Sequence, residues 1–257
     1  PSSDPLVTAV HLPVVEIRET IDEDDFIREQ KRESVGGART VYEAITRNLK
    51  REEPDLMESL ATTVDKSVEE LEFLDVAKAI ASFMRNEFKL TNSKFSRFME
   101  GDVTLSKKEL KGASVFYGKG GCASCHSGPY FSDFDFHTVP FPQLGFGKNG
   151  FGIDYGRYNV TFDPADLYKF RTPSLVNVAV TKPYGHSGSI PDLKQAIMSH
   201  FDPLKVTDTG SLNPLQRHEF YKYLATSDTF TIVNFLTDDE VTLLVSFLNT
   251  FTMEALK

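Results

Sequence analysis

Cys122 and Cys125 are the two cysteines of this 257-residue chain, and His126 follows them directly. A Cys-x-x-Cys-His run is the attachment signature of a c-type haem. The two thiols add across the haem vinyl groups, and the adjacent histidine is then placed to bind the iron from one face. We therefore expect one covalent haem c per chain, bound by Cys122, Cys125 and His126.

Two other kinds of site also use a Cys-x-x-Cys pair. A zinc site needs two further ligands at short spacing, and the sequence has no second cysteine pair. A thioredoxin-like dithiol normally belongs to a βαβ unit, and the sequence around residues 122–125 shows no such unit. Haem attachment is therefore favoured over both alternatives.

The second axial position of a haem iron takes His, Met, Tyr or water. Of the six histidines, three lie in segments with no other haem-related feature: His11, His137 and His218. His200 falls on the apolar face of a short helix predicted over 192–201. A lone histidine on such a face is more often a core residue than a ligand. Met84, Met198 and Met253 stay open as alternatives.

The elements that must position these residues are mainly helices. Apolar periodicity predicts a helix over 67–88. Ser106 opens another helix, which ends at the glycines just before the haem motif, and a capping box at 237–240 opens the last one. Residues 127–169 lack regular patterning, as expected of a segment that wraps a cofactor. The sequence predicts a mostly α fold, a cytochrome c-type haem domain with long loops wrapping the haem.

Composition limits the partners of the chain. Its net charge of −9 argues against nucleic acid and fits docking to a basic redox protein. No apolar run is long enough to span a bilayer. Residues 1–20, which include Pro5 and Pro13, are predicted to be a loop or extended. Because bacteria attach haem c outside the cytoplasm, we expect a periplasmic protein.

Several further motifs, in order, resemble those of bacterial dihaem cytochrome c peroxidases and their MauG-type relatives. They are Asp-Tyr-Gly-Arg-Tyr at 154–158, Phe-Arg-Thr-Pro-Ser-Leu at 170–175 and Pro-Tyr-Gly-His-Ser-Gly at 183–188. The segment 75–83 is also similar to the family helix that precedes the haem motif. The resemblance runs from about residue 16 to the C-terminus and matches the family's C-terminal domain, which carries the electron-transfer haem.

The family has two haem domains, each with its own Cys-x-x-Cys-His, and activates peroxide at the N-terminal haem. This chain has one such motif, and it has no Trp, whereas the family has a Trp between its two haems. The resemblance implies that residues 66–257 form the c-type haem domain. It also implies that residues 1–65 form a leading segment and linker toward an N-terminal haem domain or a second haem-bearing chain.

The resemblance assigns the axial ligands. His126 is implied to be the proximal ligand. His200 aligns with the distal ligand of this haem, which is Met in the peroxidases and Tyr in MauG. Two imidazole ligands would give a six-coordinate, low-spin iron with a lower potential than a His/Met haem. Such a haem passes electrons but has no open site for peroxide.

Other site residues follow from the same resemblance. Thr181 and Pro183 match positions whose backbone carbonyls hold a calcium ion, a cation that prefers oxygen ligands. Glu16 resembles the glutamate that acts as acid and base beside the peroxidatic haem.

Two arginines are candidates for pairing with haem propionates, because a guanidinium binds a carboxylate bidentately. They are Arg171 and Arg157, and structural ion pairs are the alternative for both. His186 is expected to fix its loop by hydrogen bonding rather than to bind iron.

Three functions follow from these features. The favoured one is a haem c oxidoreductase component that relays electrons in a dihaem cytochrome c peroxidase-like system. It implies hydrogen peroxide as substrate and a small redox protein as electron donor or acceptor. The alternatives are a MauG-like enzyme that oxidises residues of a partner protein, and a pure electron-transfer cytochrome subunit without a catalytic haem.

Overall fold

The fold is described from a computed structural model, which describes residues 3–14, 37–87, 92–145, 147–150 and 152–254. These residues are mostly helical with little strand, which confirms the predicted fold class. The chain divides into two compact units, Pro1–Lys89 and Leu90–Lys257. None of the described helices is long and apolar enough to cross a bilayer.

The described part of the first unit consists of the helices Pro5–Val14, Gly37–Glu52, Pro54–Thr63 and Phe73–Glu87. Phe73, Ala77 and Ala81 recur every four residues on one face of the last helix, where they are buried with Val7. The prediction of a loop over 1–20 was wrong for Pro5–Val14. Proline is tolerated in the first turn of a helix, and the burial of Val7 against the neighbouring helix stabilises the segment.

The second unit contains longer helices and short elements. Its helices are Lys94–Met99, Lys107–Tyr117, Tyr158–Thr161, Leu193–Met198, Pro203–Val206, Pro214–Ala225, Thr229–Ile232 and Asp238–Leu248. Three further single turns of 3₁₀ helix are Cys122–Ser124, Pro164–Asp166 and Asn249–Phe251. The described strands, Phe136–His137 and Phe170–Arg171, pair antiparallel.

Two helices form the centre of the second unit. Lys107–Tyr117 and Asp238–Leu248 lie side by side. Each begins with a capping box, at Ser106 and at Thr237; the sequence predicts a helix start at Ser106 and the box at 237–240. A Cβ at Gly112 would lie 2.1 Å from the Leu243 carbonyl oxygen. The absence of a side chain at this glycine therefore permits the close approach of the two helices.

An aromatic core lies beside this helix pair. Phe131 stacks on Phe251, with ring centres 3.8 Å apart, and Phe116 and Phe247 pack edge-on against Phe251. Cys122 of the haem motif packs against the same core. The aromatic core thus supports the haem motif by packing against it.

Residues 127–169 form a long irregular segment, as predicted, interrupted only by short elements among the described residues. The buried Ser132 hydroxyl donates a hydrogen bond to the Thr172 carbonyl at 2.7 Å. The strand pair sets Phe136 opposite Arg171 and His137 opposite Phe170. This pairing joins the two parts of the chain that form one wall of the candidate site.

Candidate haem site

The haem motif forms a single tight turn. Gly121, with a φ of 67°, precedes the 3₁₀ turn Cys122–Ser124, and the His126 N–H donates to the Cys122 carbonyl at 2.9 Å. A Cβ at Gly121 would lie 2.4 Å from the Ile232 carbonyl oxygen. Because a positive φ and this close approach both require glycine, Gly121 determines how the turn enters the site.

The motif faces a large apolar cavity of about 620 Å³. Cys122, Cys125, His126 and His200 all line it. Most of the other lining residues are apolar, among them Phe116, Phe141, Leu175, Val178, Ile197 and Leu244. A cavity of this size with a few convergent polar groups is typical of a cofactor site.

His126 and His200 face each other inside this cavity, with ring centres 6.5 Å apart. Two imidazoles on opposite faces of one metal ion, each with a nitrogen about 2 Å from the metal and about 1 Å from its own ring centre, have centres about 6 Å apart. The observed separation therefore fits a metal ion between the two rings. The spacing of the two imidazole rings is thus suitable for the iron of a haem.

Both rings are held in the tautomer that a metal ligand needs. Nδ1 of His126 bonds to the Phe131 carbonyl at 3.0 Å, and Nδ1 of His200 bonds to the Ala196 carbonyl at 2.9 Å. A carbonyl only accepts, so Nδ1 carries the hydrogen and Nε2 keeps its lone pair. Backbone hydrogen bonds of this kind orient ligating histidines and raise their basicity.

The protonation of these histidines also suits metal binding. Burial and, to a lesser degree, the neighbouring His200 together lower the pKa of His126 to about 4. Burial also lowers the pKa of His200. Both rings are therefore neutral near pH 7, the form in which histidine ligates a metal.

The two cysteines do not have the properties of a redox dithiol. Burial raises the pKa of Cys122 to about 11, and burial together with nearby carboxylates raises the pKa of Cys125 to about 11. Reactive dithiols have a lowered pKa because the thiolate is the nucleophile. The raised values argue against this alternative and leave both thiols available for thioether bonds.

His137 also lies at the cavity wall, a position that the sequence did not reveal. Its Nε2 is 2.8 Å from Asp133 Oδ2 and its Nδ1 is 3.5 Å from Asp228 Oδ2. Cys125, Asp133 and His137 bring three potential ligand atoms within 4.8 Å of one another. Both His137 nitrogens face carboxylates and the pKa of the Cys125 thiol is raised, so this group is an ion-pair cluster rather than a zinc site.

The two candidate arginines differ in their surroundings. Arg171 is exposed at the cavity, and its guanidinium lies over the Phe134 ring at 4.6 Å. It has no carboxylate partner within the part of the chain that the structure describes. Arg157 Nε, by contrast, pairs with Asp166 Oδ2 at 3.0 Å. Arg171 is thus the better placed for a propionate.

His186 lies at the rim of the cavity. Its Nε2 lies 3.0 Å from Asp154 Oδ2, and its ring stacks on Phe170 with centres 4.0 Å apart. These contacts join the 183–188 loop to the 154–158 segment. They are of the loop-fixing kind expected for this residue.

The remaining predicted site residues gain no support from the geometry. Thr181 and Pro183 are exposed beside the cavity, and among the described residues no cluster of acidic ligands accompanies them. Glu16 lies outside the described residues. Of the methionine alternatives, none is among the described residues that line the cavity.

Fold and cavity together are those of a helical domain built around a c-type haem. No protein-family model matches the chain, but individual relatives do. The cytochrome-c peroxidase IdrP2 of Denitromonas iodatirespirans is 33% identical over 128 residues, which cover 41% of this chain and 35% of that protein. The methylamine utilization protein MauG of Paracoccus denitrificans is 30% identical over 154 residues, covering 54% of this chain and 40% of MauG.

The solved structures agree on the fold. The dihaem peroxidase BthA of Burkholderia thailandensis superposes with a TM-score of 0.63 at 20% identity, covering 96% of this chain and 63% of BthA. The matched regions span 35% and 40% of the two curated relatives. The homologues confirm the resemblance: this chain is a relative of the dihaem cytochrome c peroxidase/MauG superfamily, whose named members here are haem oxidoreductases.

Proposed function

We propose that this chain carries one haem c and relays electrons in a dihaem cytochrome c peroxidase-like system that reduces hydrogen peroxide. The observation that carries the proposal is the pair of neutral histidines, His126 and His200, facing each other across the cavity that also holds Cys122 and Cys125. Haem would supply the one-electron chemistry.

Each residue of the site has a distinct role in this proposal. Cys122 and Cys125 would hold the haem through thioether bonds, and Nε2 of His126 and of His200 would bind its iron. The carbonyls of Phe131 and Ala196 fix the two rings by accepting their Nδ1 hydrogens. Arg171, which has no carboxylate partner among the described residues, pairs with a propionate.

The two facing histidines support a relay rather than a site of peroxide chemistry. With both His126 and His200 bound to it, the iron would keep no open position for a substrate oxygen. The apolar lining excludes water and reduces the reorganisation that accompanies a change of charge. Peroxide reduction then takes place at a second haem, in an N-terminal domain or in another chain.

The remaining partners follow from charge and chemistry. A chain with a net charge of −9 suits a small basic redox protein as electron donor or acceptor. Covalent haem attachment places the protein in the periplasm. Calcium bound by the backbone carbonyls of Thr181 and Pro183 belongs to the same proposal on the family resemblance alone.

Peroxide turnover by the isolated holoprotein tests the relay role. The reduced chain is mixed with hydrogen peroxide, alone and with a small basic c-type cytochrome. The proposal expects electron exchange with the cytochrome and no peroxide turnover by the chain alone. The His200→Ala variant, with an open iron position, is the positive control for reaction with peroxide. Steady-state turnover by the unaltered chain alone contradicts the relay role.

A further inference from the structure

A continuous row of aromatic rings leads from the cavity to the protein surface. Tyr223 lines the cavity, and its ring centre is 5.0 Å from that of Tyr168. Tyr168 is 5.9 Å from Tyr155, and Tyr155 is 6.1 Å from Tyr158. Each ring in the row is thus close to the next, and each carries a phenol group.

The row begins in the core and ends in solvent. Tyr223 and Tyr168 are 4% and 3% exposed. Tyr158 is partly exposed and lies 6.1 Å from the ring of Phe162, which is 74% exposed. Val160, in the same short helix as Tyr158, is 77% exposed. The row therefore connects the cavity to a defined surface position.

Tyr168 has a buried carboxylate as its hydrogen-bond partner. Its hydroxyl donates to Glu219 Oε2, and Lys222 Nζ donates to Glu219 Oε1 at 2.9 Å. Burial alone raises the pKa of Glu219, but the hydrogen bonds of Tyr168 and Lys222 outweigh it and hold the pKa below its usual value. The carboxylate is therefore ionised and can accept the phenol proton.

Packing alone does not explain the choice of tyrosine. The chain has 21 Phe and 9 Tyr, and a phenylalanine would fill the same space without a hydroxyl. A buried hydroxyl costs free energy unless it is hydrogen-bonded. Four of the nine tyrosines occupy consecutive places in one row, and the most buried of them has a proton acceptor in contact. This combination is what a tyrosine needs to lose an electron and a proton together.

We propose that Tyr223, Tyr168, Tyr155 and Tyr158 form a path for single electrons between the haem cavity and the surface at Tyr158. Glu219 serves as the proton acceptor of Tyr168. The path rests on the proposed function, because it requires a haem beside Tyr223. It adds a second route for electrons, distinct from docking at the haem edge.

A one-electron oxidant at the surface, such as an oxidised metal complex or a radical on a partner protein, takes an electron from Tyr158. The missing electron of Tyr158 is replaced in turn from Tyr155 and Tyr168, and finally, across the ring of Tyr223, from ferrous haem iron, which becomes ferric. The partly exposed Tyr158 and Tyr155 release their phenol protons to water when oxidised and regain them when reduced. Tyr223 carries the electron between Tyr168 and the haem without itself being oxidised. When Tyr168 loses its electron, its phenol proton moves to the Glu219 carboxylate, and it returns when Tyr168 is reduced. The net change is one electron moved from iron to oxidant.

The test attaches a ruthenium photo-oxidant at the surface end of the path. In the holoprotein the native cysteines are bonded to haem, so Val160→Cys introduces a unique thiol for the label. A flash in the presence of an oxidative quencher generates ruthenium(III), and absorbance follows the oxidation of the ferrous haem and the transient tyrosyl radical. The proposal expects a fast phase of haem oxidation that is lost in Tyr168→Phe. It expects a slower phase in Glu219→Gln and in heavy water.

Matched controls separate the path from direct oxidation of the haem. Tyr221→Phe alters an exposed tyrosine outside the row, on the same helix as Tyr223, and should leave the fast phase unchanged. A label at Val180→Cys, an exposed position beside the cavity residue Thr181, should oxidise the haem at a rate that Tyr168→Phe does not alter. An unchanged fast phase in labelled Tyr168→Phe overturns the proposal.

The haem content, the spectrum and the thermal unfolding of every variant are recorded first. A chain without haem contradicts the proposed function instead. In that case a soluble ruthenium oxidant is used, and the tyrosyl radical signal is measured. This signal must appear in the unaltered chain and weaken in Tyr168→Phe and Glu219→Gln. If Tyr168→Phe fails to fold, Glu219→Gln and the heavy-water effect decide. If neither Glu219→Gln nor heavy water slows the oxidation of the haem, the proposal is overturned.

Discussion

The ring centres of His126 and His200 lie 6.5 Å apart across one apolar cavity, and each ring gives its Nδ1 hydrogen to a backbone carbonyl. The carbonyls belong to Phe131 and Ala196, so the backbone itself fixes both rings. A site held in this way is preorganised for a metal ion between the two Nε2 atoms.

Replacing His200 should change the iron ligation in a defined way. We expect the unaltered holoprotein to be low-spin and six-coordinate, and His200→Ala to become high-spin, because one axial ligand is lost. His200→Met should stay low-spin with a raised reduction potential, since a thioether ligand raises the potential of a haem. Absorption and electron paramagnetic resonance spectra, with a redox titration, measure both effects.

Met198 provides the matched control for His200. It lies two residues away, packs against the core and is not among the described residues that line the cavity. Met198→Ala should leave the spectrum unchanged. A spectrum that changes in Met198→Ala and not in His200→Ala would refute the assignment of the distal ligand.

Removal of the thiols should release the haem in steps. We expect Cys122→Ser and Cys125→Ser each to retain haem through one thioether bond, and the double variant to lose all covalent haem. Mass spectrometry of the denatured chains detects the retained haem directly. A double variant that still carries haem after acid denaturation would show that attachment lies elsewhere.

Gly112→Ala should destabilise the second unit, although alanine is the better helix former. A Cβ at this position would lie 2.1 Å from the Leu243 carbonyl oxygen and 2.8 Å from Phe247 Cβ. Overpacking of this kind costs about 1–3 kcal/mol of unfolding free energy. Denaturant unfolding measures the loss, with Ser114→Ala, on the exposed side of the same helix, as the control. Equal stabilities of the two variants would contradict the tight crossing.

His137 should make stability depend on pH. Burial lowers the pKa of its imidazole, but hydrogen bonds and charges of Asp133 and Asp228 outweigh this effect and raise the pKa above its usual value. A raised folded-state pKa stabilises the protein below the unfolded value of about 6.5, and this contribution is lost as pH rises through the folded pKa.

The unfolding free energies of the unaltered protein and of His137→Gln test this effect. The difference between them should be larger at about pH 5.5 than at about pH 9. Asp228→Asn should reduce the pH dependence without abolishing it, since Asp133 still faces the ring. A difference that is independent of pH would contradict the ion-pair cluster.

Local features of the fold could be predicted from the sequence. The boxes at Ser106 and Thr237 use residues only three positions apart, so the sequence alone shows them. The helix Pro214–Ala225 was not predicted, because it mixes apolar and polar residues and buries a charged one, Glu219. Burial of Glu219 depends on Tyr168, from a distant part of the chain.

In the candidate site, too, features set by neighbouring residues could be predicted, and those that depend on distant residues could not. The haem motif is contiguous, and the sequence predicts it without knowledge of the fold. The position of His137 could not be predicted, because Asp228 approaches it only after the chain has folded. The helix predicted over 192–201 is confined to Leu193–Met198, with Asp192 as its cap.

The stoichiometry and ligation of haem in the purified chain test whether it binds one haem c between His126 and His200. The chain is produced with haem attachment in the periplasm, and its haem-to-protein ratio is measured together with its ferric absorption spectrum. We expect one covalent haem per chain and a low-spin spectrum of two histidine ligands. A chain without covalent haem, or a five-coordinate high-spin spectrum, would contradict this expectation.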